Sequence, residues 1–293
     1  MTTGPAEVFD LGYRGYEGER TNRWRRRLAI WRDGVRISLG LGRGAGAKFA
    51  SWLFIGLALV PMVVLVVVAA FLSPAEEARE DFELPTYPDY YDWAILPLGL
   101  FAAVVAPLLI CPDRRDGVLS LYAARPITPT DYIGSRWAAF LAVSLAAAWL
   151  PEAVLFGWNA LDASSTGSFL TDEWDVVPRF LASGAAVAVP LTTLSLLTAS
   201  FTDRRAYATV ATIVVVIVGG AVGGIAEDSF EGAIADVGSL ADLTQVSVDA
   251  VFWIFGEETS RAGTGWVSAL WLAAVTVAMG AWLLLRTRQL LRQ

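Results

Sequence analysis

Six apolar stretches, each about twenty residues or longer, alternate with charged linkers along almost the whole chain. They cover residues 49–72, 93–111, 132–158, 177–201, 206–226 and 266–285. A helix of this length crosses a hydrocarbon core of about 30 Å. In lipid, only helices and closed barrels satisfy their own backbone polar groups. Barrel strands alternate apolar and polar residues, and the unbroken apolar run over 63–70 does not. The expected fold is therefore all-α: a polytopic membrane protein with six transmembrane helices. Composition agrees, because 17% charged residues is well below the roughly 25% of a soluble domain.

The linkers are sorted by charge. Residues 1–48 hold ten of the 22 Lys and Arg. The second and fourth linkers and the tail add Arg114, Arg115, Arg125, Arg136, Arg204, Arg205, Arg286, Arg288 and Arg292. The remaining three linkers, 73–92, 159–176 and 227–265, are acidic. By the positive-inside rule both termini are expected in the cytoplasm, with the acidic linkers outside. The first 48 residues contain no apolar segment of the kind a cleavable signal peptide needs, so the first span is the expected insertion signal. A single cysteine, Cys111, excludes an internal disulfide, and the lack of histidine removes the common zinc and haem ligand sets.

The chain divides into a cytoplasmic segment, 1–48, and a six-helix membrane domain, 49–293. Within the first, Trp24, Leu28, Trp31, Val35 and Leu39 recur at steps of three and four and share one helical face. Arg25, Arg26, Arg32, Asp33 and Arg36 occupy the rest. A basic helix with tryptophan on its apolar side is expected to lie along a membrane surface. The glycine-rich stretch 40–46 then breaks it. Residues 42–48 are not a phosphate loop, because Ala47 precedes Lys48 and Phe49 follows it.

The second linker, 112–131, is the most structured cytoplasmic piece. Val118, Leu119, Leu121 and Tyr122 form one face of a short helix that Pro126 ends. Thr128, Pro129 and Asp131 occupy the N-cap, first and third positions of the next helix. The apolar face either lies back on the bilayer or bundle, or forms a docking ridge for a cytoplasmic partner. In the last outward linker, the apolar segment 246–255 is too short to span and suits an interfacial or re-entrant helix.

Few polar groups fall inside the spans. Glu152 is the candidate intramembrane polar site; it is either a functional carboxylate or close enough to the outer interface to meet water. Thr192, Thr193, Ser195 and Thr198 surround Pro190, where hydroxyls bond freed carbonyls or neighbouring helices, or contact a substrate. Gly219, Gly220, Gly223 and Gly224 form two overlapping Gly-x-x-x-Gly patterns, for packing within the chain or for a dimer seam. No histidine base, Gly-x-Ser-x-Gly elbow or nucleotide-binding signature is present.

Taken together, these features resemble the membrane subunit of ABC-2-type transporters. The stretch from Asp113 to Arg136 reads Asp-Arg-Arg-Asp-Gly-Val-Leu-Ser-Leu-Tyr-Ala-Ala-Arg-Pro-Ile-Thr-Pro-Thr-Asp-Tyr-Ile-Gly-Ser-Arg. It is similar to the family's D-x-x-x-G-x-L-x-L-x-x-x-R-P-I-x-x-x-x-Y-x-x-G-K. The ending is shifted, and Arg136 replaces lysine with the charge kept. The opening 8–14 and the turn 202–206 resemble actinobacterial members.

The resemblance implies that residues 24–39 are an elbow helix. It also implies that 114–123 form a coupling helix docking on a separate ATP-binding subunit. The docking residues would be Val118, Leu119, Leu121 and Tyr122, with Arg114, Arg115 and Arg125 at the rim. Region 227–258 would supply short extracellular helices. The partners implied are that ATPase, a second permease copy or related chain, and the bilayer of the plasma membrane; no nucleic acid is expected. This chain would bring no cofactor and no catalytic residue, and ATP and Mg would bind the partner. The expected function is export of a hydrophobic or amphipathic substrate. The competing readings are an ion-gradient-driven secondary transporter and a non-transporting subunit of a larger complex.

Overall fold

The structure, a computed structural model, describes residues 22–42, 44–72, 84–118, 127–163, 165–257 and 265–290. Among them every regular element is a helix. We number them α1 (Arg23–Ser38), α2 (Ala45–Leu72), α3 (Asp89–Arg115), α4 (Pro129–Asp162), α5 (Thr166–Asp172), α6 (Val176–Ala199), α7 (Arg205–Ser229), α8 (Ala233–Ser239), α9 (Leu243–Phe255) and α10 (Gly265–Leu290). Six of these, α2, α3, α4, α6, α7 and α10, are long and apolar enough to cross a membrane. They match the six apolar stretches; most extend a few residues into the polar ends, while α6 stops two residues short of the end of its stretch. The all-helical expectation therefore holds, and six helices of this length and composition are compatible with a multi-pass protein.

The six long helices form two classes. In α3, α4 and α6, 61%, 50% and 72% of the most apolar window is buried, against 11%, 17% and 22% in α2, α7 and α10. The first three are thus the centre, and the others present apolar faces outward. The exposed residues of α2 include Trp52, Leu57, Val64 and Phe71; those of α7 include Val214, Ile217 and Val222. Such surfaces suit lipid rather than water. The main core joins Tyr90, Phe101, Val105 and Leu109 of α3, Tyr132 and Phe140 of α4, and Val187, Leu191 and Leu196 of α6.

The helix starts follow local chemistry. Thr128 caps α4: its hydroxyl accepts from the Asp131 amide, and the Asp131 carboxylate accepts from the Thr128 amide, both at 3.2 Å, with Pro129 leading the helix. Asn22 caps α1. Asp242 caps α9, which ends at Gly256 in the left-handed region with φ 77°.

α9 contains the short apolar segment 246–255. It is wedged between α6 and α10 and also touches α3 and α7. Val246, Val248, Ala250 and Val251 are all buried, so both of its sides are covered by protein. A short helix enclosed by neighbours in this way is compatible with both an interfacial and a re-entrant position. The glycines of α7 make room for the turn before it. A Cβ on Gly219 would lie 2.6 Å from the Ala241 carbonyl oxygen, and one on Gly223 would lie 2.9 Å from the Asp242 Cβ. The Gly-x-x-x-Gly face therefore packs within the chain.

Cys111 lies near the end of α3. It is buried with Ala199 of α6 and Ala208 of α7, and its thiol Sγ is 3.8 Å from the Ala199 carbonyl oxygen.

Candidate functional site

The residues that the sequence singled out fall at two places. One is the basic end of the bundle, where the 112–131 linker leaves α3 and enters α4. The other is the buried surroundings of Glu152.

At the basic end, Tyr132 and Arg136 are four residues apart on α4 and share a face. The Arg136 side chain is 3% exposed. One arm of its guanidinium donates to Asp33 of α1 at 2.7 Å, the other to Asp113 of α3 at 2.9 Å. Tyr132 donates its hydroxyl to the same Asp113 oxygen at 2.7 Å. One buried arginine thus ties three helices together, and the planar fork is what lets it reach two carboxylates at once. One turn earlier, Asp131 is 2% exposed and takes Arg23 of α1 at 2.9 Å. Arg27, one turn along α1, pairs with the other carboxylate oxygen. The linker therefore springs from an ion-paired base that also holds α1.

The face of α1 that packs against α4 is Ile30, Gly34, Ile37 and Ser38. It is offset by about one residue from the stripe Trp24, Leu28, Trp31, Val35 and Leu39. Gly34 decides this, since a Cβ there would sit 2.6 Å from the Ala139 Cβ. Val35 and Leu39 still touch the core. Trp24 is 67% exposed, and Leu28 and Trp31 are half-buried on the flank.

Of the residues expected at the docking surface, Arg114 donates to the Ser200 carbonyl at 2.6 Å. Arg115 is exposed and pairs with Asp116 at 2.9 Å, which holds the Asp116 carboxyl below its ordinary range. Val118 is half-buried. Leu119, Leu121, Tyr122 and Arg125 lie outside the described residues.

Glu152 is fully buried in α4. The Tyr91 hydroxyl of α3 donates to its Oε2 at 2.9 Å, while Oε1 has no hydrogen-bond partner. Ser183 of α6 and Tyr90 of α3 also bury unpartnered hydroxyls. Gly184 brings α6 close: a Cβ there would lie 2.4 Å from the Trp149 ring and 3.3 Å from the Tyr91 hydroxyl. Glu152 therefore faces protein and not the bundle surface. Toward the acidic end, Asn159 donates to the Tyr87 hydroxyl at 3.3 Å, and Tyr87 stacks on Phe255 of α9. Burial pushes the Tyr87 hydroxyl up to about 12.

The hydroxyls beside Pro190 act locally. Thr192, Thr193 and Ser195 donate to the carbonyls of Ala188, Val189 and Leu191, each four residues back. Thr193 also accepts from the Trp137 ring nitrogen at 3.0 Å, and Thr198 bonds Thr212 of α7 at 2.6 Å. They join α6 to α4 and α7.

Among the described residues no group of His, Cys, Asp and Glu is arranged to hold a metal ion. No family model matches the chain, and no curated protein matches it.

Replacing Asp131 with alanine removes half of the α4 capping box and the carboxylate between Arg23 and Arg27. The expected cost is about 1–2 kcal/mol, felt mainly as looser docking of α1. Limited trypsin digestion followed by mass spectrometry will read it as cleavage at Arg23, Arg25 and Arg27 roughly tenfold faster than in the unmodified chain.

Proposed function

We propose that this chain is the membrane permease subunit of an ATP-driven exporter of the ABC-2 type, with a separate ATPase docking on the 112–131 linker. The observation that carries the reading is the stretch from Asp113 to Arg136. Its Asp113, Tyr132 and Arg136 hold one another in a buried junction that also fastens α1. A linker mounted on such a base transmits a push to α1, α3 and α4 together, as a coupling element must. In this reading α1 is the elbow helix, lying along the cytoplasmic face of the plasma membrane with Trp24 toward the headgroups. Both termini are then cytoplasmic, and α8 and α9 close the outer side.

ATP binding would draw two ATPase subunits together and move the linkers of two permeases as levers. The spans would alternate between inward- and outward-facing states, which requires the two states to differ in affinity for ATP. Because the spans contain few charged residues, a hydrophobic or amphipathic cargo fits better than a charged polymer.

The test begins with purification from native membranes in mild detergent, where a near-stoichiometric ATPase is expected. Leu121→Asp and Tyr122→Ala should then leave insertion and yield unchanged but lower permease-stimulated ATP hydrolysis to the basal rate of the ATPase. Unaltered stimulation in both variants would overturn the docking assignment. The buried Glu152–Tyr91 pair gives a second reading its one support, a transporter driven by an ion gradient. Transport that stops when proton and sodium gradients are collapsed, with ATP present, would select it.

A further inference from the structure

The offset of α1 on α4 leaves an apolar groove between them. Trp24, Leu28 and Trp31 form one wall, and Gly134, Ser135 and Ala138 form the other, enclosing about 520 Å³. Thr130, Asp131 and Arg27 stand at its mouth. From Thr130 to Ala138 the groove follows α4 for roughly 12 Å, at a rise of about 1.5 Å per residue. It starts at the basic end of the bundle and runs toward the hydrocarbon depth of the span.

The charge at the mouth is unbalanced. Arg23 and Arg27 converge on the single carboxylate of Asp131, which lines the groove beside Arg27. Arg23 and Arg27 share that carboxylate while their side chains stay 54% and 41% exposed. An apolar trough beneath a rim with one cation in excess has the chemistry of a lipid site.

We propose that this groove binds one anionic phospholipid of the cytoplasmic leaflet, with an acyl chain between α1 and α4 and its phosphate at Arg23 and Arg27. The lipid acts as a wedge that completes the packing of α1, filling the flank between Trp24, Leu28, Trp31 and α4 beside the close Gly34–Ala139 contact. The inference needs α1 to lie at the bilayer surface; it does not depend on what the bundle transports or on an ATPase.

The glycine at position 134 makes the groove testable. A Cβ there meets nothing within 4 Å, so Gly134→Leu fills the trough without displacing backbone and favours the helix. The protein is placed in phosphatidylcholine nanodiscs doped with phosphatidylglycerol or phosphatidylcholine carrying brominated acyl chains, which quench tryptophan on contact. The groove signal is the difference between the unmodified chain and Trp24→Phe/Trp31→Phe. Brominated phosphatidylglycerol should half-quench it at a mole fraction roughly fivefold lower than brominated phosphatidylcholine, about the attraction of one arginine for an anionic surface. Arg23→Gln, which leaves Arg27 balanced by Asp131, should remove that preference and keep the quenching. Gly134→Leu should lower quenching by both lipids while eluting from gel filtration like the unmodified protein.

Equal half-quenching by the two lipids would overturn headgroup recognition. Undiminished quenching in Gly134→Leu would place the lipid elsewhere. A groove signal that neither lipid quenches would mean that protein covers these tryptophans.

Discussion

Arg136→Met will lower stability by roughly 3 kcal/mol, the largest loss expected of any single substitution at the basic end. Methionine keeps much of the side chain's volume, so the loss is electrostatic. Asp33 is 58% exposed on its side chain and can turn to water, whereas Asp113 is only 17% exposed and stays beside Tyr132. Breaking a buried pair from one side strands its partner, which is why the cost reaches the lower end of the usual 3–5 kcal/mol. Adding Asp113→Asn should return part of it, since an amide needs no counter-charge. The double-mutant cycle, measured as thermal midpoints by tryptophan fluorescence in one detergent, isolates that coupling. Arg136→Lys should fall between the two, because an ammonium group cannot span Asp33 and Asp113 with one fork. Equal midpoints for the unmodified chain and Arg136→Met would show that the junction contributes nothing.

Gly219→Leu should cost nearly as much, for a steric reason. Its Cβ would stand 2.6 Å from the Ala241 carbonyl oxygen. That oxygen belongs to the backbone of the turn leading into α9, so it cannot swing aside as a side-chain tip does. Overpacking of this kind costs roughly 1–3 kcal/mol, and a backbone obstacle puts it at the upper limit. Gly224 belongs to the same pattern, yet a Cβ there meets nothing within 4 Å. Gly224→Leu should therefore be nearly neutral in thermal midpoint. Gel filtration with light scattering completes the comparison: a drop in oligomeric state in Gly224→Leu with an unchanged midpoint would mean that the free side of the pattern joins two chains.

The membrane helices were legible because lipid imposes a length and forbids unsatisfied backbone, so hydropathy alone located all six. The α4 start was legible for a different reason: Thr128, Pro129 and Asp131 are adjacent in sequence, and a capping box is a local event. What stayed hidden was long-range. Sequence pattern put Trp24, Leu28 and Trp31 on one apolar face and gave that face to the membrane surface, without showing which face packs on α4. Packing chose Gly34, because close approach to Ala139 requires the absence of a side chain.

The pairing of Arg136 with Asp33 and Asp113 joins residues 103 and 23 positions apart. Nothing in the spacing announces it except the Tyr132–Arg136 register and the retained basic charge at the end of the linker motif. Glu152 was visible as an intramembrane carboxylate, but its enclosure was not: the side chain is fully buried and accepts from Tyr91 of α3, a contact between residues 61 positions apart.

The seal around Cys111 has a practical meaning for anyone who wants to watch this protein move. It is the only thiol in the chain, and it sits where α3, α6 and α7 meet. A maleimide that reacts with it must wait for that junction to part, so the labelling rate counts openings of a single seam. No second cysteine adds background, and none has to be engineered away. Since Arg114 and Ser200 lie beside the seam, bonded to each other, the thiol serves as a stopwatch for the end of α3 that feeds the linker.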